Sequence, residues 1–246
     1  MCIRDSVKGD LNFKDIDFSY VKGEQVLKHF DLWVKSGQKI AIVGATGSGK
    51  TTVVNLLTRF YDIDGGVITL DGQDIRNIPV NKLRGSIGIV LQDTVIFSDT
   101  IAQNIRYGRI DATDEEIVEA AKIARVDDFA SKLSDGYNTM LTEGGSNLSQ
   151  GQRQLISIAR AVLADPKILI LDEATSSIDT RTEMHIQEAM VALMKGRTSL
   201  IIAHRLSTIR DADKIVVISG GKVVEAGDHD ELLAQKGEYY KLYQSQ

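Results

Sequence analysis

The residues with the clearest chemical potential form the glycine-rich octapeptide GATGSGKT, which begins at Gly44. Apolar runs precede and follow it, and this order predicts a strand, a loop and a helix. Its glycines can adopt backbone conformations closed to other residues, so the amides can turn inward around an oxyanion at the helix start. Lys50 can reach the outer phosphates as a point charge, and the Thr51 hydroxyl can ligate Mg²⁺. The predicted phosphate-binding residues are Gly44, Ala45, Thr46, Gly47, Ser48, Gly49, Lys50, Thr51 and Thr52.

A second candidate group consists of the adjacent acids Asp172 and Glu173, which follow the apolar run KILIL. Such a run is typical of a buried parallel strand, and α/β proteins place ligand-facing residues at the carboxyl ends of these strands. An aspartate there can hold hydrated Mg²⁺ in a phosphate-loop ATPase. The glutamate beside it is placed to polarise the attacking water. The alternative is that both acids only cap the next turn.

A second anion-seeking helix start is predicted at the segment LSQGQ, residues 148–152. Ser149 is a good N-cap residue, and Gly151 leaves the amides of the first turn unobstructed. The alternative here is an ordinary capped helix.

Composition limits the classes of protein to which the chain can belong. With 246 residues, 43% of them hydrophobic, it can form one large domain or two small ones. The net charge of −5 gives no electrostatic case for a nucleic-acid surface. Cys2 is the single cysteine of the sequence, so an internal disulfide is excluded and a reducing compartment is favoured. No apolar run approaches the roughly 20 residues of a membrane span, and no signal peptide is recognisable.

Hydrophobic periodicity predicts an α/β fold with a mainly parallel sheet. An antiparallel β layer with one bulge opens the chain, and helices dominate from Gln92 to about Ala164, including short ones at 101–105, 114–124 and 126–133. Thr113 and Glu116 form a candidate capping box. We therefore expect one domain over 7–246. Its core and β layer comprise 7–91 and 165–246, its helical subdomain comprises 92–164, and residues 1–6 are a non-native or disordered leader.

Taken together, these motifs resemble the nucleotide-binding domain of ATP-binding-cassette (ABC) transporters. GATGSGKT matches the Walker A loop, ILILDE matches Walker B, and LSQGQ is close to the LSGGQ signature, which is nearly unique to that family. The resemblance extends from about Val7 to the C-terminus. It implies a P-loop NTPase core with an N-terminal antiparallel β subdomain and an inserted α-helical subdomain.

The same resemblance implies roles for further residues. Gln92 matches the Q-loop that contacts nucleotide and Mg²⁺, His204 matches the switch histidine that contacts the γ-phosphate, and Tyr20 matches the aromatic residue on which adenine stacks. The implied catalytic residues are Glu173, His204, Gln92 and Lys50. The implied nucleotide contacts also include Ser149, Gln150, Gly151 and Gln152 of the signature and Asp179 of the D-loop, and the implied metal ligands are Thr51, Gln92 and Asp172. Gln150 replaces the usual Gly and Ile178 the usual Leu, and neither change puts hydrolysis in doubt.

The mechanism implied by the resemblance requires two such domains, identical or related, that meet head to tail around two ATP molecules. Segments 142–145 and 97–101 resemble those of multidrug and lipid exporters. We therefore expect an ATP- and Mg²⁺-dependent ATPase that drives export through a membrane domain absent from this chain. Its expected location is the cytoplasmic face of the cell membrane, and no nucleic-acid partner is expected. The alternatives are a soluble non-transport ABC-type ATPase and an ATP-gated dimerisation module.

Overall fold

The computed structural model describes residues 7–91, 94–172, 179–203 and 206–245. Backbone contacts divide these residues into two compact units. The first comprises the residues up to 87, those in 167–173 and those from 196 onward, and the second comprises 88–166 and 174–195. Among the described residues, no helix has both the length and the apolar character that a membrane span requires.

The described strands and helices alternate along much of the chain. The strands are β1 (Leu11–Val21), β2 (Glu24–Val34), β3 (Lys39–Val43), β4 (Gly65–Leu70), β5 (Gln73–Asp74), β6 (Ile87–Val90), β7 (Ile168–Asp172), β8 (Thr198–Ile202), β9 (Lys214–Ser219) and β10 (Lys222–Gly227). The helices are α1 (Lys50–Leu57), α2 (Val80–Gly85), α3 (Ile101–Arg106), α4 (Asp114–Ile123), α5 (Asp127–Ala130), α6 (Gln150–Ala164), α7 (Thr180–Met194), α8 (Leu206–Arg210), α9 (His229–Gln235) and α10 (Glu238–Gln244).

The opening strands form the predicted antiparallel layer, with strand order β2-β1-β4-β5. Inward-facing apolar side chains alternate with exposed ones along β1, and Leu11, Phe13 and Phe18 are buried. The predicted bulge is confirmed, because the register of β1 against β2 shifts between Phe13 and Ile16 and at three further points.

The second sheet has the order β10-β9-β3-β8-β7-β6. Strand β3 lies at its centre and pairs in parallel with both β8 and β9, and β7 pairs in parallel with β8. A hairpin at Gly220-Gly221 joins β9 to β10 in antiparallel pairing. Strands β3, β7 and β8 are buried almost throughout, as expected for parallel strands covered on both faces. The fold class inferred from the sequence is therefore confirmed.

In the second unit, α6 packs against α3, α4 and α7. Both predicted helix starts are confirmed as capping boxes, at Thr113 with Glu116 and at Ser149 with Gln152. Helix α6 ends at Ala164, immediately before Asp165 and Pro166. The predicted helix at 126–133 is shorter than expected. Only α5 is α-helical there, because the amides of Lys132 and Leu133 bond to carbonyls three residues back rather than four, and the chain then enters turns.

Candidate nucleotide site

The loop between β3 and α1 has the geometry of an anion cradle. Gly44, Gly47 and Gly49 all have positive φ, and a Cβ added to Gly44 would lie 2.3 Å from the Ile218 carbonyl oxygen. Gly49 is the N-cap residue of α1 and has no side chain, so no side-chain cap covers the first amides of the helix within the described chain. The Ser48 hydroxyl is buried and has no hydrogen-bond partner among the described residues. An unpartnered hydroxyl beside free helix amides fits a phosphate oxygen.

Lys50, the first residue of α1, folds back over this loop. Its side chain is only 9% exposed, and its Nζ donates to the carbonyl oxygens of Gly44 at 2.8 Å and Ala45 at 2.9 Å. Burial lowers the pKa of the Lys50 ammonium, and the nearby charge of Asp172 opposes that shift. A phosphate would offer this partly desolvated cation an anionic partner in place of two neutral carbonyls.

The second sheet brings Asp172 to the same edge as the loop. Ile42 of β3 and Asp172 of β7 both pair with Ile202 of β8, so they lie at one level of the sheet. They are two strands apart, which corresponds to about 10 Å at the usual spacing of strands. This places the carboxylate on the side of the sheet from which the glycine-rich loop leaves β3, where a hydrated Mg²⁺ could be held between Asp172 and Thr51.

Tyr20 lies against helix α1 from the antiparallel layer. Its hydroxyl donates to Thr52 Oγ1 at 3.2 Å and accepts a hydrogen bond from Asn55 Nδ2 at 3.0 Å. The side chain is 44% exposed, so part of its ring is open to solvent. Asn55 was not singled out from the sequence. Its position three residues after Thr52 on one helix face is the signal that could have found it.

The signature residues are described within the second unit. Ser149 is the N-cap of α6, Gly151 is buried in its first turn, and Gln150 is half-buried. Gln152 closes the capping box with Ser149. Asp179 is the N-cap of α7, and its Oδ1 accepts from the Thr182 amide at 3.0 Å. That backbone hydrogen bond is the main reason why the pKa of Asp179 is lowered.

Three predicted site residues lie outside the described residues, namely Gln92, Glu173 and His204, and so does Ile178 of the D-loop. Within the part of the chain that the structure describes, there is no group of three or more His, Cys, Asp or Glu side chains suited to a metal ion. A magnesium ion that takes most of its ligands from phosphates and water does not need such a group.

A buried polar network that sequence reasoning missed holds the segment at 95–100. The fully buried Asn104 side chain accepts from the Phe97 amide at 2.9 Å and donates to the Phe97 carbonyl at 3.0 Å. Arg160 of α6 donates to the Asn104 and Val95 carbonyls, and its guanidinium lies 5.3 Å from the Phe97 ring centre. Burial lowers the pKa of Arg160. The network fixes this segment to the helix that starts at the signature.

Comparison with known protein families identifies the chain. The family model described as ABC transporter matches residues 27–176, which is more than half of its length. The chain belongs to the ABC transporter family. The sequence-based recognition is therefore confirmed. The ATP-binding domains of this family are ATPases, so the ATP-binding character of the chain is confirmed as well.

Relatives and a solved structure of this family match nearly the whole of this chain. An uncharacterized ABC transporter ATP-binding protein of Bacillus subtilis, YfiC, is 58% identical over 97% of this chain and 39% of its own length. An ATP-dependent lipid A-core flippase of Syntrophus aciditrophicus is 52% identical over 96% of this chain and 39% of its own length. A solved bacterial Atm1-family ABC exporter with ATP bound is 43% identical, with a TM-score of 0.91 over 97% of this chain and 42% of that one. This ABC chain thus spans about two fifths of the length of its relatives.

Proposed function

We propose that the chain is the motor domain of an exporter, which binds Mg-ATP at the loop after β3 and hydrolyses it. The observation that carries the proposal is that the α1 amides lack a side-chain cap and the buried Ser48 hydroxyl beside them has no hydrogen-bond partner among the described residues. The loop residues from Gly44 to Thr52 would cradle the phosphates, and Lys50 would move from its backbone carbonyls to the β- and γ-phosphate oxygens. The ring of Tyr20 would stack on adenine.

The hydrolytic step needs groups that only the sequence assigns. Glu173 would orient and polarise the attacking water, and His204 and Gln92 would contact the γ-phosphate region. Thr51, Asp172 and Gln92 would hold Mg²⁺, which neutralises charge on the phosphate oxygens when bound.

The site would be completed by a second nucleotide-binding domain, identical or related. The N-terminus of α6 carries the positive dipole end that favours a phosphate, and the amides of Ser149 and Gln152 are held there in a capping box. Ser149, Gln150, Gly151 and Gln152 of one chain would therefore face the γ-phosphate bound by the other, and Asp179 would lie at the same interface. A transition-state group supplied in trans can be worth roughly 10³–10⁵ in rate, so the monomer should turn over slowly.

The transmembrane partner would dock on the second unit, at an apolar patch formed by Val95, Phe97 and Tyr107. These side chains are between 40% and 62% exposed, and the rings of Phe97 and Tyr107 lie 4.3 Å apart. The Asn104–Arg160 network holds the patch rigidly, which suits a surface that transmits force. The remaining three fifths of a full-length relative would supply the membrane part, with this domain at the cytoplasmic face. Neither the charge nor the site favours a nucleic-acid partner.

The proposal is tested by measuring phosphate release against protein concentration, with Mg-ATP in excess. Turnover per chain should rise with concentration until dimerisation saturates, because each site needs residues of two chains. A constant turnover per chain, at concentrations where sedimentation shows a monomer, would contradict the shared site. A dimer that forms with ATP but releases no phosphate would instead favour the ATP-gated dimerisation module.

A further inference from the structure

We propose that Asn55 and Thr52 are positioning residues, which hold the ring of Tyr20 in place for the nucleotide base and leave only its face for recognition. This inference rests on the proposed binding of ATP at the loop that precedes α1. Beyond stacking itself, it concerns how the stacking ring is held in place and which features of the base the ring can recognise.

The hydrogen bonds tie the ring to the helix that starts at the phosphates. Thr52 and Asn55 lie three residues apart on α1, so both side chains point to one face of the helix. The Tyr20 hydroxyl lies within 3.2 Å of Thr52 Oγ1 and 3.0 Å of Asn55 Nδ2. Since Thr52 directly follows the phosphate-binding threonine, the distance from the phosphates to the ring is set by one rigid turn of helix.

Neighbouring rings hold the other end of the side chain. The ring of Tyr20 is nearly perpendicular to those of Phe18, at 4.8 Å between centroids, and Tyr61, at 5.0 Å. Phe18 is buried, and its ring also contacts that of Tyr61 at 5.8 Å. Perpendicular aromatic pairs of this kind are favourable and directional. Tyr20 is therefore fixed both at its hydroxyl and along its ring, although almost half of its surface is exposed.

The same hydrogen bonds limit what Tyr20 can recognise. A phenol has one proton to donate, and in this structure that proton goes to Thr52 while one acceptor position is used by Asn55. The hydroxyl consequently has no donor left for the edge of a base. Recognition through the ring face reads little base identity, because every base has a π-face. Loss of the hydroxyl should therefore weaken the binding of ATP and the binding of GTP equally.

The test is a double-mutant cycle on nucleotide affinity, measured by titration calorimetry with Mg-ATP and with Mg-GTP. Tyr20→Phe removes the hydroxyl and keeps the ring, and Asn55→Leu removes the donor and keeps the size of the side chain. Each single variant should lose about two- to tenfold in affinity for both nucleotides, as expected for one hydrogen bond. The double variant should lose no more affinity than the single variant with the larger loss, because Asn55 acts only through that hydroxyl.

Controls separate positioning from a general effect on folding. Asn77→Leu, at an exposed position in the turn after β5, should leave affinity unchanged, and thermal unfolding without nucleotide shows whether each variant is folded. If the losses of Tyr20→Phe and Asn55→Leu multiply in the double variant, the two residues act independently and the inference is wrong. An ATP-to-GTP affinity ratio that changes in Tyr20→Phe would also overturn it, because the hydroxyl would then read the base.

A third variant distinguishes this inference from the proposed function. Tyr20→Ala removes the ring and should lose roughly 5- to 150-fold in affinity, the range expected for stacking of one base on an aromatic side chain. If Tyr20→Ala weakens binding and Asn55→Leu does not, stacking stands and the positioning role fails. If the unaltered chain binds neither nucleotide, the proposed function itself fails.

Discussion

Ser149 and Gln152 exchange side chain-to-backbone hydrogen bonds across the first turn of α6. The Ser149 hydroxyl accepts from the Gln152 amide at 3.2 Å, and the Gln152 side-chain oxygen accepts from the Ser149 amide at 2.9 Å. Lys50 is likewise occupied, by two carbonyls of its own loop. Ser149, Gln152 and Lys50 thus already have hydrogen-bond partners within the chain, and a nucleotide must exchange these hydrogen bonds for stronger, charged ones.

Replacing Ser149 by Ala should affect both stability and turnover. Loss of an N-cap hydroxyl costs about 1 kcal/mol of unfolding free energy, which urea titration measures. Thr113→Ala is the matched control, because Thr113 caps α4 in the same capping-box geometry. Both variants should lose similar stability, but only Ser149→Ala should lower phosphate release. Equal effects on phosphate release would leave the signature serine with a structural role alone.

Replacing Lys50 by Ala should abolish measurable ATP binding in calorimetry. The variant loses the ammonium group that lies over the carbonyls of Gly44 and Ala45, and charge-assisted contacts to phosphate are about twice as strong as neutral ones. Lys82→Ala, at an exposed position of α2, serves as the control and should bind as the unaltered chain does. Unchanged affinity of Lys50→Ala would refute the phosphate cradle.

Replacing Glu173 by Gln should stop turnover while ATP affinity is retained. The amide keeps the size of the side chain but cannot polarise water as a base. Because hydrolysis separates the two halves in the proposed mechanism, this variant should accumulate as a nucleotide-bound dimer in size-exclusion chromatography with ATP. Normal phosphate release would remove Glu173 from its assigned role.

His29 should make the stability of the chain depend on pH. Its pKa is raised above the ordinary 6.5, chiefly by its hydrogen bond to Asp15 at 2.7 Å, with the charges of Asp17 and Asp15 adding and burial and Lys222 opposing. Because the pKa of His29 is higher in the folded state than in the unfolded state, protonated His29 stabilises the fold. This stabilisation is fully present below pH 6.5 and is lost as the pH rises through the folded-state pKa.

NMR titration of the His29 ring would measure that pKa directly, and Asp15→Asn should lower it. Comparison of unfolding free energies for His29→Gln and the unaltered chain should give a difference at about pH 6 that shrinks by about pH 9. A difference that grows with pH would have the wrong sign for this account.

Local sequence patterns were sufficient wherever a single segment decides its own structure. Apolar runs predicted β3 and β7, the Thr113–Glu116 pair predicted the start of α4, and Ser149 as an N-cap residue predicted the start of α6. The same reasoning overestimated the helix at 126–133, where hydrogen bonds three residues back replace the α-helical ones after Ser131. A hydrophobic period does not register this change of hydrogen-bond geometry.

The sequence by itself determined the family, the glycine loop, the acidic strand end and the signature helix start, because each is a contiguous run whose residue types suffice for its chemistry. The roles of Gln92, Glu173 and His204 still depend on sequence alone. Only the tertiary structure decided the level of Asp172 relative to Ile42, the packing of α7 against α6 and the hydrogen bond between Asn55 and Tyr20. These relationships join residues distant in the chain, and strand order and side-chain packing fix them rather than any local pattern.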